Sequence, residues 1–379
     1  MNRTLCVIMR GGTSKGIFFK HEDMPRDPSL WEDFLLDVMG SPDPRQIDGL
    51  GGANSLTSKV AIIKKSDRPN IDIEYTFGQV SLTDEIVDFK GNCGNISSAV
   101  GPYAIDAGFV KAVDPITKVS ILNTNTNKVI VAEVEVENGM VKQSGDVEIP
   151  GVPHPGSPVY LTFREPEGSV TGKLLPTGNT IDKLNTSFGS VATSIVDCAN
   201  PVVFVNAQEL GLKGCELPDE FSDEQLAKLE EIRAAGAERC GIAFKEEATA
   251  KSPAVPKLAL VASPMNYVDR MGIVRKKEDM DIVIRMMSMQ KPHQSLAITG
   301  AICTAVASKL PHSIFTHIVD IKSDKIRLAH PAGIMETYIK YEQDRIKYVK
   351  VLRTARKLME GYVYTRHQYV IEGAEYENI

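Results

Sequence analysis

Apolar and polar side chains alternate through most of the first half of the chain, and a period of two predicts strands. VIMRGGTSKGIFF, residues 7–19, reads as a strand, a glycine-rich turn and a second strand. KVAII at 59–63 and IDIEYTF at 71–77 continue the pattern. KVIVAEVEVENGMVKQSGDVEI, residues 128–149, predicts a hairpin, because Asn138-Gly139 between alternating runs favours a type I′ turn. An early helix is expected in DPSLWEDFLLDVMG (27–40), with Asp27 as N-cap, Pro28 in the first turn and Gly40 as the stop.

Two segments depart from alternation altogether. ISSAVGPYAIDAGFV, residues 96–110, carries one charge, Asp106, and small or apolar side chains on nearly every face, so it predicts a helix that something must surround. HQSLAITGAICTAVASKL, residues 293–310, is its counterpart, uncharged until Lys309 and preceded by strands such as NPVVFV and PKLALVA. The chain therefore reads as two copies of one plan, an α+β fold in which each of two similar domains wraps a curved sheet around a buried helix. The glycine- and proline-rich stretch from about 150 to 180 is the natural boundary, giving domains 1–178 and 179–361, with residues 362–379 returning to the first. Residues 220–240 add an amphipathic surface helix opened by a Ser222/Gln225 capping box.

Composition narrows the chemistry. The 379 residues carry a formal net charge of -6, which argues against a general nucleic-acid surface, since phosphate affinity comes from clustered Lys and Arg. The start MNRTLCVIMRGG has no apolar signal core, and no segment has the apolar length of a membrane span, so the expected location is the cytoplasm. Six cysteines (Cys6, Cys93, Cys198, Cys215, Cys240, Cys303) form no CxxC pair, and His312 and His317 are five apart, off the spacing that places two ligands on one helical face. No metal or other cofactor is expected. GGTSKG at 11–16 is not a P-loop and GLGGAN at 49–54 is not a dinucleotide fingerprint, so neither turn is read as a nucleotide site.

Two residues stand out as candidate acid–base groups. Cys93, in GNCGNISSAV, sits where a buried helix would turn its free amides and positive dipole end, a position that favours an anion, carboxylate or thiolate alike. A small buried thiol is the plainer alternative. Lys59, in LTSKVAII, is either a solvated lysine at a strand start or a base turned into a cleft, where burial would lower its pKa. The turn amides of Gly12 and Thr13, those of Gly94 and Asn95, and the Ser14 hydroxyl could hold a carboxylate, and Arg10 or Arg45 could add charge. His293, ahead of the second buried helix, is either a capping residue or stands across a cleft from Cys93, and His330 in LAHPAGI is a weaker candidate.

VIMRGGTSKGIFF, RQIDGLGGANSLTSKVAII, FGQVSLTDEIVDFKGNCGNISSAVGPYAI, NTNTNK and LAHPAGI resemble the PrpF family, the 2-methylaconitate isomerases and the related 3-methylitaconate delta-isomerase, which have the diaminopimelate epimerase fold. The likeness runs from about residue 4 to about residue 365. It implies an active site in the cleft between the two domains, Lys59 and Cys93 as the catalytic pair, Ser14 and His293 in the same site, and a homo-oligomer, dimer or tetramer. The implied reaction is a cofactor-independent 1,3-proton shift in a small unsaturated di- or tricarboxylate. Racemases of this fold oppose two cysteines, one at the entrance of each central helix. Here the second entrance reads LAITGAI and Cys303 lies a turn too deep, so amino-acid racemisation is disfavoured. A non-catalytic carboxylate-binding protein is the other alternative.

Overall fold

The hairpin Arg3–Gly11 and Ser14–Lys20 closes through Gly12 and Thr13, and everything in the first half is built outward from it. Ser14–Lys20 pairs in parallel with Lys59–Lys65, which pairs antiparallel with Ile73–Val80. Ile73–Val80 is parallel to Ile116–Asn123, and that strand forms a hairpin with Lys128–Glu137. A computed structural model describes residues 3–342 and 345–371 of the chain.

The second half repeats this order and sense, strand for strand. Gly189–Cys198 and Asn200–Asn206 form the hairpin, Asn200–Asn206 is parallel to Lys257–Ala262, and Lys257–Ala262 is antiparallel to Ile282–Ser288. Ile282–Ser288 is parallel to Lys325–His330, which pairs with Gly333–Glu342. Each half places its central helix at the same point of the path, Gly94–Asp106 in the first and Ile298–Ala307 in the second. The two-domain α+β fold expected from the resemblance is the one the chain adopts.

Both helices are apolar all round because strands enclose them. Every residue from Gly94 to Ile105 and every residue of Ile298–Ala307 is buried. Fully burying a Val or Ile side chain stabilises by roughly 1.5–3 kcal/mol, so Val100, Ile105, Ile302 and Val306 hold their helices far more firmly than helix propensity does. Small residues set the spacing: a Cβ on Gly101 would lie 2.8 Å from Ala132 Cβ. One apolar cluster joins the two helices, from Ile96 and Val100 to Ile298 and Ile302.

The first helix stops at Asp106 and not at 110, because Gly108 turns to φ +79° and Phe109 N donates back to Ala104 O. The second begins at Ile298, five residues later than the polar start of its segment, since Lys291–Pro292 is a short strand and Ala297 is still extended. The other local readings hold. Asp27 accepts from Ser29 N, Gly40 ends the early helix at φ +71°, and Asn138 and Gly139 both have positive φ. Ser222 and Gln225 cap the helix Asp223–Arg239 reciprocally.

The last strand, Arg345–Tyr364, ties the halves together by pairing with Gly333–Glu342, with Pro158–Arg164 and, through residues 355–364, with Arg3–Gly11. Of the segment 362–379, residues 372–379 lie outside the described residues. No helix among the described residues is long and apolar enough to cross a membrane.

Candidate active site

The two central helices point their N-termini at each other. A Cβ on Gly94 would lie 2.6 Å from Ile298 Cβ, so only glycine allows this approach. Cys93 is the N-cap of the first helix and Ala297 the N-cap of the second, and neither gives a side-chain cap to the free amides behind it. Two positive dipole ends therefore converge on one point.

Asn95 joins the glycine-rich turn to that point. Its Oδ1 accepts from Thr13 N at 3.3 Å and its Nδ2 donates to Leu296 O at 3.5 Å. Thr13 Oγ1 and Ser295 Oγ share a hydrogen bond of 2.9 Å, a second tie between the halves. Gly12, at φ +49°, could carry no side chain here, since its Cβ would fall 2.1 Å from Asn95 Oδ1.

Between the helix ends lies a small chamber. The first half lines it with Lys59, Phe77, Gln79, Asp88, Cys93 and Asn95, and the second with Asn200, Lys257, Ser288, His293 and Ala297. Its free space is about 30 Å³, room for water and less than a dicarboxylate fills.

Lys59 opens its strand and is buried in this wall. Gln79 orients it: the amide Nε2 donates to Ser55 O at 3.2 Å and Ser58 O at 3.0 Å, leaving Oε1 to accept from Lys59 Nζ. The Phe77 ring centroid is 5.4 Å from Nζ. Burial lowers the amine's pKa below 10.5, with the neighbouring Cys93 acting weakly in the opposite sense.

His293 is buried, and its Nδ1 accepts from Ser295 N at 3.0 Å, which assigns the ring proton to Nε2. Burial first, then Lys59 and Lys257, push its pKa down to about 3, so it is a neutral donor at physiological pH. Ser14 is 2 % exposed and its Oγ finds no partner among the described residues. Arg10 is turned away: its Nη1 donates to Gly12 O, Thr354 O and Thr354 Oγ1, bracing the turn from outside. Arg45 lies exposed in the loop after the early helix. His330 is buried at the end of the strand Lys325–His330, where its Nδ1 accepts from Ala332 N. Cys303 is fully buried and donates to Val196 O at 3.2 Å, away from the helix end.

Lys59, Cys93, Asn95 and His293 thus meet in one chamber. Gly94 lies at the seam of the helices, Gly12 and Thr13 join the chamber through Asn95, and Ser14 opens the strand after that turn. Reading the sequence missed the second-half wall, above all Lys257 and Asn200. A signal was present: KVAII from Lys59 and KLALV from Lys257 are both a lysine followed by an apolar strand with alanine third. The register makes the match structural, for Lys59 pairs with Gly16, two residues after Ser14, and Lys257 pairs with Val202, two residues after Asn200.

Comparison with known proteins gives a consistent result. The family described as PrpF protein matches residues 1–366. The chain is 59% identical over 369 residues to "Putative isomerase YraM" of Bacillus subtilis (strain 168), covering 97% of this chain and 99% of that protein. It is 49% identical over 368 residues to "3-methylitaconate isomerase" of Eubacterium barkeri, covering 96% and 97%. A crystal structure of methylitaconate-delta-isomerase superposes with a TM-score of 0.78 at 48% identity, over 96% of this chain and 95% of that one.

Proposed function

The chain belongs to the PrpF family, and from that premise we propose that it is an isomerase that moves a carbon–carbon double bond by a 1,3-proton shift in a small unsaturated di- or tricarboxylate, such as 3-methylitaconate, dimethylmaleate or 2-methylaconitate. The observation that carries this reading is a buried lysine amine, held by Gln79, in one closed chamber with a cysteine at a helix N-terminus.

The chemistry follows from those groups. Neutral Lys59 takes a proton from the carbon next to a carboxylate, or from its vinylogue. The electron pair moves into the conjugated carboxylate as a dienolate, and a proton is returned two carbons along. Cys93 shares the transfer. General acid–base positioning of this kind is worth on the order of 10²–10⁴ per group. Charge on the dienolate meets fixed donors: the free amides after Cys93 and Ala297, the turn at Gly12 and Thr13, the Ser14 hydroxyl and His293 Nε2–H. These side chains supply every proton the reaction moves, and no cofactor is called on.

Racemisation by opposed thiols does not suit this site, because Ala297 stands at the second helix entrance. A homo-oligomer, dimer or tetramer, in the cytoplasm completes the reading. The exposed Val268, Met271, Ile273 and Val274, close together on one hairpin, support self-association.

Incubation with citraconate, itaconate and aconitate in deuterium oxide, followed by NMR, tests the reaction. Deuterium at an allylic carbon is expected in at least one acid. Binding without exchange across the panel would show a carboxylate-binding protein instead.

A further inference from the structure

We propose that Lys257 and Asn200 form the substrate's carboxylate seat on the second-half wall, with Lys257 as the chamber's cation and Asn200 Nδ2 as the donor beside it. The inference rests on the isomerase reading above, since it concerns how that chamber receives its acid.

Three cationic candidates line the chamber: Lys59, Lys257 and His293. Lys59 has to be neutral to accept a proton from carbon. His293 is kept neutral by burial. Arg10 and Arg45 lie outside the chamber, the first occupied by carbonyls and the second exposed. Lys257 alone is left to balance a carboxylate.

Its surroundings fit that task. Lys257 is 8 % exposed, and its ammonium uses one donor, to Ala254 O at 3.3 Å. An ammonium has three donors, and burying it with so few partners is costly unless a ligand completes the set. Asp88, whose carboxylate accepts from Lys90 N and Ala254 N, favours the charged form of Lys257. Burial, the largest effect, acts against it, as does Lys59 whenever it carries its proton, leaving a pKa of about 8. A bound dianion would reverse that depression.

Asn200 supplies the second, independent observation. It is 1 % exposed, and both its Oδ1 and its Nδ2 lack partners among the described residues. A buried amide with both ends free costs stability that packing does not explain. The fold places it deliberately: Asn200 stands to Lys257 as Ser14, another buried polar group without a partner, stands to Lys59. The loop leading into Lys257 is fixed by buried Arg233, which donates to Ser252 O at 3.0 Å and to Pro256 O at 3.5 Å.

Calorimetric binding of tricarballylate and methylsuccinate, saturated acids that cannot isomerise, tests the seat in wild type, Lys257→Met and Asn200→Ala. Lys257→Met should weaken binding on the order of 10²-fold, as expected for removing one partner of a buried charge pair. Asn200→Ala should weaken it about tenfold. Titrations at pH 8 in buffers of different ionisation enthalpy should show proton uptake with wild type and Asn200→Ala, and none with Lys257→Met. Unliganded Lys257→Met should melt above wild type, because an ill-satisfied buried ammonium has been removed. Affinity within threefold of wild type in both variants, or a lower Tm with unchanged affinity, would overturn the seat and make these residues structural. Wild type that binds neither acid would overturn it as well. If wild type binds the saturated acids through these residues yet exchanges no allylic proton in any unsaturated one, the seat stands and the isomerase reading fails.

Discussion

Cys93 and Ala297 occupy the same place in their two halves, each at the N-cap of a central helix and each lining the chamber, yet one carries a thiol and the other a methyl. A site with one thiol cannot relay protons between opposed cysteines. Cys93→Ser should therefore leave the fold intact and lower turnover of the unsaturated acid by about 10²-fold or more. No α-proton exchange should appear with proline or other amino acids, by NMR in deuterium oxide. Exchange there would reopen the racemase reading.

Lys59→Ala should lower kcat by 10²–10⁴-fold, roughly the worth of one positioned base. Near wild-type turnover would show that Lys59 is not the base. Because burial lowers the amine's pKa, the acid limb of the pH–kcat/KM profile should fall below 10.5. Gln79→Leu removes the acceptor that favours the ammonium, so the limb should move to still lower pH while kcat falls.

Gly94→Ala tests the junction of the helices. Alanine is intrinsically the better helix former by about 1 kcal/mol, so propensity alone predicts a gain. The contact of 2.6 Å with Ile298 Cβ predicts the opposite, a loss of about 1–3 kcal/mol from overpacking, read as a lower Tm.

Lys257 should leave a signature in the pH dependence of stability. Its folded pKa of about 8 lies below the ordinary 10.5, so between these values the unfolded chain binds more protons than the folded one. Stability rises with pH across that window, by about 3 kcal/mol relative to Lys257→Met, and the difference is constant below pH 8. Denaturant titrations of both proteins at pH 7.5, 9 and 10.5 measure it. His293 works in the acid range: with a pKa of about 3 against 6.5, it costs stability progressively as pH falls from 6.5 to 3.

Much of this was legible in the sequence because local physics and the global fold agree. The uncharged run around Val100 had to be enclosed, and Asn138-Gly139 had to turn. Cys93 was legible because a helix N-terminus is a local feature. Lys257 was harder: a lysine before an apolar strand is unremarkable until the register shows it repeating Lys59. Asn200 carries no local signal, since its significance is that nothing pairs with it, which only the assembled fold reveals. The bonds of Arg10 were not legible either, its guanidinium donating to Thr354, 344 positions away in the chain.

The unlike helix caps have a stereochemical consequence. In the reaction proposed above, a flat dienolate lying between them would meet Cys93 on one side and the Ala297 methyl on the other, so its two faces would not be equivalent to a proton donor. Protonation from the Cys93 side alone would make any new stereocentre of a single hand. Where Lys59 carries the proton both ways, part of an isotope label taken from the first carbon would reappear on the third without passing through solvent.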